Sequence, residues 1–504
     1  MMNAGGMNEM NTEHKVDLTR YVSNLDRNVY TIFNLPEEVI AVIFAYVSRS
    51  SLSFRDNLAK LLADDELAVN EQSGGLATSY SAKAARFHEK WVVGYGHSSV
   101  AEHAVAHIGI EKISRLASAE LELANSFNSF TEYSQRYQRP ARGDVYIPEE
   151  LEQQPELKDD YLALQDKAYD TYEALMAGLI PYLKQSIPQN EGESPRAYQS
   201  RVEKIAFEDA RYVLTLATLT NLGMTGNGRA LRDTLVALLT SEQAECRQLA
   251  RDMEREISQV IPTLLKYVEP NAYVAEARRK LSNQFGTIQP TAQTIKGPHA
   301  RFTRLPEYRD ALILLATQML VTYAGLSYNA AQSHAETLPL VELEQLALDA
   351  LSDLRFFDNP LPELQHLHYQ MELVISEANW HQLLRHNRRA HFSFGQPTVR
   401  LGYTTPPHVE AAGLAERYQS FIHEAETVVR KLADWNPSIA QYAVTNAHHR
   451  QVTMTASLWE LYHLINLRTS PEAQWDIRDT FQQLHEQLQA AHPALARHAK
   501  RRLG

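Results

Sequence analysis

The sequence predicts a helix-rich α+β fold made of two tandem copies of one unit, paired as a pseudodimer, and three observations carry that expectation. The chain has 504 residues, more than one hydrophobic core usually organises, so two large domains are expected. Segments of the first half recur in the same order in the second half, and repetition of this kind sets the architecture before local structure does. Between the halves, Gln284 to Pro298 carries Gly286, Pro290, Gly297 and Pro298 with few apolar residues, which reads as a linker.

Residues 1–24 read as a disordered tail, 25–271 as the first copy, 272–298 as the linker and 299–504 as the second copy. A helix ending in Ala45-Tyr46-Val47-Ser48 has its counterpart in one ending in Ala324-Gly325-Leu326-Ser327. Gly96 to His103 leads into the alternation Val105, His107, Gly109, and Leu361 to His366 leads into His368, Gln370, Glu372, Val374. That alternation, over 104–110 and 367–375, predicts a strand in each copy, followed by a helix. Further helices are expected over Ala230 to Leu239 and Leu458 to Leu467. Ser241 and Ser470 follow, each with acids close behind, which predicts an N-cap. From there Leu249, Met253, Ile257 and Ile261 run to Pro262, and Ile477, Phe481, Leu484 and Leu488 run to Pro493, each at helical spacing.

Composition excludes several classes. Hydrophobic residues make up 44% and charged residues 22%, ordinary globular values that rule out a disordered chain, a collagen-like rod or a coiled coil. Forty-nine basic against 61 acidic residues give −12, with the acids spread along the chain. A nucleic acid polymer is therefore not the expected partner, and any phosphate site must be local. The charge-free run from Ala311 to Ala335 is strongly apolar only to about Leu326, too short for a bilayer, so it reads as a buried helix and no membrane is expected. The start of the chain lacks the pattern of a signal peptide, and one cysteine permits no internal disulfide; a cytoplasmic location is expected. Cys246 lies at helical spacing with no histidine nearby in sequence and reads as a small buried residue rather than a nucleophile. Trp475 reads as core. His103 and His366 read, one by one, as strand-start histidines. His448 and His449 have no acid or cysteine at ligand spacing, so no metal site is expected. Arg385, Arg388, Arg389 and Arg400, set among His386, His391, Phe392 and Phe394, read as a ligand site.

Several motifs resemble one family. His97-x-Ser99-x-x-Glu102-His103, followed by Glu132-Tyr133-Ser134-Gln135-Arg136-Tyr137, is similar to the H-x-[ST]-x-x-E-H and E-x-S-x-R-Y patterns of the flavin-dependent thymidylate synthases. Arg211, Asn227-Gly228-Arg229 and Asp233 stand where that family has an arginine and an N-A-R segment. In the second half, Gln382-Leu383-Leu384-Arg385-His386-Asn387 resembles Q-x-x-R-H-R, and Arg468 with Ala473-Gln474-Trp475-Asp476-Ile477 resembles L-R…A-Q-W-E-I. The copies depart from the pattern in complementary ways. Ala124-Asn125-Ser126 takes the place of R-H-R in the first copy, and Leu238 or Leu239 that of the late arginine. In the second copy Gln441 stands for Arg211, Ser457 and Trp459 for Asn227 and Arg229, and E-x-S-x-R-Y becomes Pro397 to Tyr403.

The resemblance implies two copies of that family's fold and one composite site. Gln382, Arg385 and Arg468 of the second copy would meet Glu132, Ser134, Gln135, Arg136 and Arg211 of the first around dUMP. Arginine suits such a ligand because its fork gives permanently charged, bidentate hydrogen bonds. By resemblance Ser134 and Arg136 hold phosphate, and Arg468, with Arg385 and His386, serves catalysis by stabilising the pyrimidine N3 anion. FAD would be held by His97, Ser99, Glu132, Asn227, Gly228, Arg229, Asp233, Arg385 and His386. Methylenetetrahydrofolate would supply carbon and NADPH reducing power, giving reductive methylation of dUMP to dTMP. Pyrimidine hydroxymethylation and a catalytically inactive nucleotide-binding paralogue stand as alternatives. A homodimer, a pseudotetramer of copies, is the implied assembly.

Overall fold

The structure, a computed structural model, describes residues 17–47, 52–62, 98–266, 268–286, 288 and 299–502. The first copy holds α1 (Glu37–Val47), α2 (Phe54–Leu62), β1 (Val105–Ser114), α3 (Arg115–Ala124), β2 (Ser129–Glu132), α4 (Pro155–Ser186), α5 (Pro195–Ala210), β3 (Leu219–Asn227), α6 (Gly228–Leu239) and α7 (Ala244–Ile257). After α8 (Ala272–Phe285) come β4 (His299–Arg304), α9 (Tyr308–Ala324), α10 (Tyr328–Thr337), α11 (Leu340–Leu351), β5 (His368–Ser376), α12 (Glu377–Leu383) and β6 (Ala390–Phe394). The chain ends with α13 (Pro407–Ala411), α14 (Ala415–Trp435), α15 (Pro437–Ala443), β7 (His449–Ser457), α16 (Leu458–Arg468), α17 (Trp475–Ala491) and α18 (Pro493–Ala496).

The expected strands are β1 and β5, and each runs into a helix through a serine N-cap. Ser114 Oγ accepts from Ala117 N at 3.0 Å and Ser376 Oγ from Asn379 N at 3.0 Å, satisfying one of the orphan donors of each first turn. The caps at Ser241 and Ser470 are not found. α7 and α17 start later, after Gln243 and Gln474, and neither glutamine caps with its side chain. Ser241 Oγ instead accepts from Gln243 N within the preceding turn, and Ser470 Oγ donates back to Leu467 O. The linker expected at 272–298 also differs, because α8 fills its first half. That helix is steadied by Glu276 reaching Arg279 at 2.8 Å and Lys280 at 3.4 Å, one turn on. Within the expected tail, Leu18–Arg20 form a turn and Val22, 3% exposed, bridges to Ile32.

The chain divides into two units that are not the two copies. Unit 1 is Met1–Ile110, Phe127–Thr131 and Leu222–Ser282; unit 2 is Glu111–Ser126, Glu132–Asn221 and Asn283–Gly504. Unit 2 thus contains the second copy together with the middle of the first. The physical reason is a shared core: Tyr161, Tyr172, Leu175 and Leu179 of α4 bury with Tyr418, Phe421, Ile422 and Val429 of α14, each worth about 1.5–3 kcal/mol against exposure. Gly178 permits the close approach, since a Cβ there would lie 2.8 Å from Leu414 Cδ1.

A pseudo-twofold runs through this core. Thr215 bridges to Thr445, and the flanking hydrogen bonds are reciprocal. Leu216 N donates to Val444 O and Asn446 N to Leu214 O, both at 2.9 Å; Ala217 N donates to Tyr442 O at 2.9 Å and Ala447 N to Tyr212 O at 3.0 Å. Reciprocity of this kind is the signature of an isologous contact between like units. The rest of unit 2 is built on the antiparallel sheet β4-β5-β7-β6, against which Leu312, Leu315, Trp380, Leu461, Ile465 and Phe481 bury. Strands of the first copy form a three-stranded sheet in the order β1-β3-β2. In unit 1, α1 is anchored by Glu38, whose carboxylate accepts from Thr263 N at 2.7 Å.

Candidate active site

The first copy's contribution to unit 2 begins at Glu132, the last residue of β2. A tight turn follows, in which Arg136 N donates to Ser134 Oγ at 3.3 Å and Tyr137 N to Ser134 O at 3.0 Å. Arg136 is fixed by Glu208 from the end of α5, with Nε and Nη2 at 2.7 and 2.6 Å from Oε1. Arg211 follows α5 directly. Its guanidinium is buried, and Nε and Nη2 have no partner. Burial holds it below the usual arginine range, with Tyr212 and Glu208 pulling the other way. Asn446 joins the neighbours of this group, donating to Arg211 O at 2.9 Å and to Gln135 Oε1 at 3.3 Å, while Gln135 Nε2 is buried without a partner.

The second copy supplies the facing groups. On α12, Gln382 Nε2 donates to Ala378 O at 3.1 Å and Gln474 Oε1 at 3.2 Å, leaving Oε1 buried and partnerless. Arg385 ion-pairs with Glu132 and lies 3.5 Å from Glu122. Burial pushes Glu132 up, but Arg115 and Arg385 outweigh it and leave the carboxyl below its ordinary value. Ser118 also donates to Glu132, at 2.7 Å. Glu122 is pushed up to about 7, chiefly by burial.

Arg468 ends α16. Nη2 donates to Gln382 O at 2.8 Å and to His386 Nε2 at 2.7 Å. Burial, then repulsion from Arg385 and Arg136, brings Arg468 down to about 10. Arg136 Nη2 reaches Glu472 O at 3.2 Å, in the loop just beyond Arg468. Burial and Arg468 hold His386 well below the usual histidine range. Its imidazole is therefore neutral, with Nε2 accepting and, by assignment from this hydrogen bond, Nδ1 protonated. His386, Glu460 and His463 come within 4.8 Å of one another. The protonated Nδ1 faces Glu460 at 3.9 Å, and the adjacent Arg468 cation further disfavours a metal ion there.

The structure thus brings Glu132, Ser134, Gln135, Arg136, Arg211, Gln382, Arg385, His386 and Arg468 into unit 2. Sequence reasoning missed Arg115, Ser118, Glu208 and Asn446. Gln474, which holds Gln382, stood inside a quoted motif without a role. One correspondence shifts: counted from the equivalent caps Ser114 and Ser376, the segment facing Arg385-His386-Asn387 is Leu123-Ala124-Asn125, one residue earlier than Ala124-Asn125-Ser126. Trp475 is half-buried, packed against the shared core and stacked on buried Tyr212, and donates to Asp209 at 2.8 Å. The basic cluster is largely committed to the protein: Arg388 Nε donates to Ser126 O at 2.9 Å and Arg389 lies 3.9 Å over Trp459. His448 and His449 are structural, each bonding a threonine, Thr445 or Thr404, at 2.8 Å.

The family model described as Thymidylate synthase complementing protein matches residues 32–263 and 316–494. The chain belongs to that family, as two fused copies. A flavin-dependent thymidylate synthase of Saccharolobus solfataricus is 30% identical over 228 residues, covering 42% of this chain and 76% of that protein. The UPF0159 protein of Chlamydia pneumoniae is 25% identical over 501 residues, 94% of this chain and 91% of its own. Among solved structures, the Helicobacter pylori flavin-dependent thymidylate synthase complexed with FAD and dUMP is 17% identical, with a TM-score of 0.30 over 40% of this chain and 99% of that one.

The other residues expected to hold FAD lie in unit 1, and of these His97 is outside the described residues. Ser99 is exposed in a short turn. Asn227 caps α6, accepting from Ala230 N at 2.9 Å. Gly228 sits where a Cβ would lie 3.0 Å from Ala101 O. Arg229 pairs with Glu102 at 2.6 Å, and Asp233 with Arg232 at 3.2 Å. Cys246 is fully buried in α7. No helix among the described residues is long and apolar enough to cross a membrane.

Proposed function

We propose that this chain is a flavin-dependent enzyme that methylates the pyrimidine of dUMP, with its nucleotide site in unit 2 between the two copies. The observation that carries this reading is Arg211, a buried guanidinium whose Nε and Nη2 have no hydrogen-bond partner, and which forms no ion pair, among the described residues. An unpaired buried cation is costly, and a bound phosphate dianion offsets that cost with bidentate hydrogen bonds. Arg136 is close enough to act on it electrostatically, and the partnerless Gln135 Nε2 is a further donor.

Arg468 plays the second part. At about 10 it is still cationic at neutral pH. Held by Gln382 O and His386 Nε2, it is preorganised to stabilise negative charge on N3 and O4 of the pyrimidine, which makes C5 nucleophilic. Cys246, buried in unit 1, supplies no thiolate for this chemistry. In unit 2, Arg385 keeps 44% of its side chain open to solvent, which suits an anionic cofactor such as FAD approaching from outside. Bound flavin would contribute hydride, with methylenetetrahydrofolate giving the carbon and NADPH restoring the reduced cofactor. The same reading makes the working particle a homodimer.

The test is titration calorimetry with dUMP on the purified chain, its visible spectrum with FAD, and the product mass from labelled dUMP and methylenetetrahydrofolate. A flavin spectrum and a product heavier by one methyl group are expected. A product carrying hydroxymethyl favours the alternative transfer, and no dUMP binding by wild type overturns the reading.

A further inference from the structure

A second basic site lies beyond the nucleotide groups and does not depend on them. The loop Thr469–Gln474 presents Glu472 O and Gln474 to the groups already described. Thr469 and Pro471 of the same loop line a separate cavity of about 440 Å³, completed by Arg478, Asp479, Gln482, Lys500 and Arg502. Three cations therefore line it against the carboxylate of Asp479, with Glu472 of the same loop also within electrostatic reach of Arg502, in a protein whose net charge is −12.

None of the three cations forms an ion pair among the described residues. Arg478 Nη1 makes a long contact to Pro471 O at 3.4 Å. Arg502 is held from its backbone, its N donating to Asn466 Oδ1 at 3.0 Å, and from its flat face, with Cζ 4.3 Å over Phe356. That clamp orients the guanidinium, yet its Nε is buried and has no hydrogen-bond partner. A surface arginine with nothing to bind would be solvated and mobile. Here the backbone is tied to Asn466 and the guanidinium is stacked on Phe356 beside a cavity of small-ligand size, and the orphaned donor is what a ligand would satisfy.

We propose that this cavity binds a small polyanion, through charge-assisted hydrogen bonds from Arg478, Lys500 and Arg502 with Gln482 as a neutral donor. The shared chemistry is two or more negative charges a few ångströms apart, as in a pyrophosphate or a short run of carboxylates. Asp479 counts against a bulky neutral ligand bound by apolar contact, and its single charge leaves the cavity net positive.

The experiment is calorimetry on the full chain at about 0.15 M salt, with inorganic pyrophosphate and triglutamate as separate probes. Saturable binding of at least one is expected, and the tighter identifies the source. The Lys500→Gln/Arg502→Gln double variant weakens it at least tenfold without lowering Tm, Arg478→Gln does so more mildly, and Arg211→Gln leaves it unchanged. The proposal is overturned if neither probe binds, if the double variant binds as wild type, or if the loss follows Arg211→Gln, which would place the probe among the nucleotide groups.

Discussion

Arg211 and Gln441 occupy equivalent places on either side of the pseudo-twofold, each just before the reciprocal strands that join the copies. Both are buried, and both leave an atom without a partner: Nε and Nη2 in one case, Oε1 in the other. The energetic meaning differs. An orphaned amide oxygen costs about 1–3 kcal/mol, whereas an orphaned guanidinium costs more because it carries a charge. The late arginine shows the same asymmetry: Arg468 of the second copy corresponds in sequence to buried Leu238 or Leu239 of the first, depending on which end of the helix is counted. Folding alone is better served by glutamine and leucine. The cationic half of each pair therefore marks where an anion belongs.

The largest expected effect comes from making the second copy like the first at its late arginine. Arg468→Leu removes the donor to His386 and the cation proposed to face the pyrimidine, and turnover is expected to fall about 10²–10³-fold, the size of losing one preorganised charge donor. Methyl transfer measured under saturating dUMP checks this, and a loss smaller than tenfold would break the assignment. Arg211→Gln makes the first copy like the second. Affinity for dUMP is expected to drop roughly a hundredfold, about 3 kcal/mol, while Tm rises because a buried unpaired cation has gone. Opposite signs in one variant separate a binding role from a structural one; a fall in Tm would show that Arg211 holds the fold. Gln441→Arg is the converse, lowering Tm without creating a second dUMP site.

The duplicated plan was legible because its markers are local. Alternation at β1 and β5, with a helix following each, can be read from neighbouring residues. What escaped depends on distance. Arg115 and Ser118 matter because they meet Glu132, and Asn446 because it bridges Gln135 and the Arg211 carbonyl. The division into units was hidden for the same reason, since it follows the packing of α4 on α14, far apart in sequence. α8 reads as linker because the glycines and prolines after it dominate the local pattern, while its stabilising pairs are one turn apart on an exposed face. Ser241 and Ser470 carried the residue type of a cap, but turns preceding the helices claimed them.

A smaller effect sharpens the comparison at a position where only one copy carries charge. Glu460 stands three residues after the cap Ser457, where the first copy has Ala230 after Asn227. It is 3% exposed, and burial pushes its carboxyl up to about 7. A raised folded value means that the contribution is fully present below the unfolded value near 4.5 and is lost as pH rises through about 7, since only the unfolded chain releases the proton readily in that window. Glu460→Gln is therefore expected to match wild type at pH 5 and exceed it at pH 8, by about 2 °C or more in Tm for a domain of this size. Thermal melts at the two pH values check the sign, and an equal Tm difference at both would remove the titration.

The smallest expected effect is Cys246→Ala. The thiol is fully buried on the apolar face of α7, with Leu249, Ala250 and Met253, so its loss costs packing on the order of 1 kcal/mol. Turnover should not change, because the charge stabilisation argued for Arg468 leaves nothing for a sulfur nucleophile to do. The variant thus tests the comparison from the side of unit 1. If methyl transfer disappears while Tm, flavin spectrum and dUMP affinity stay near wild type, the chemistry runs through unit 1, and the arginines of unit 2 hold the nucleotide without activating it.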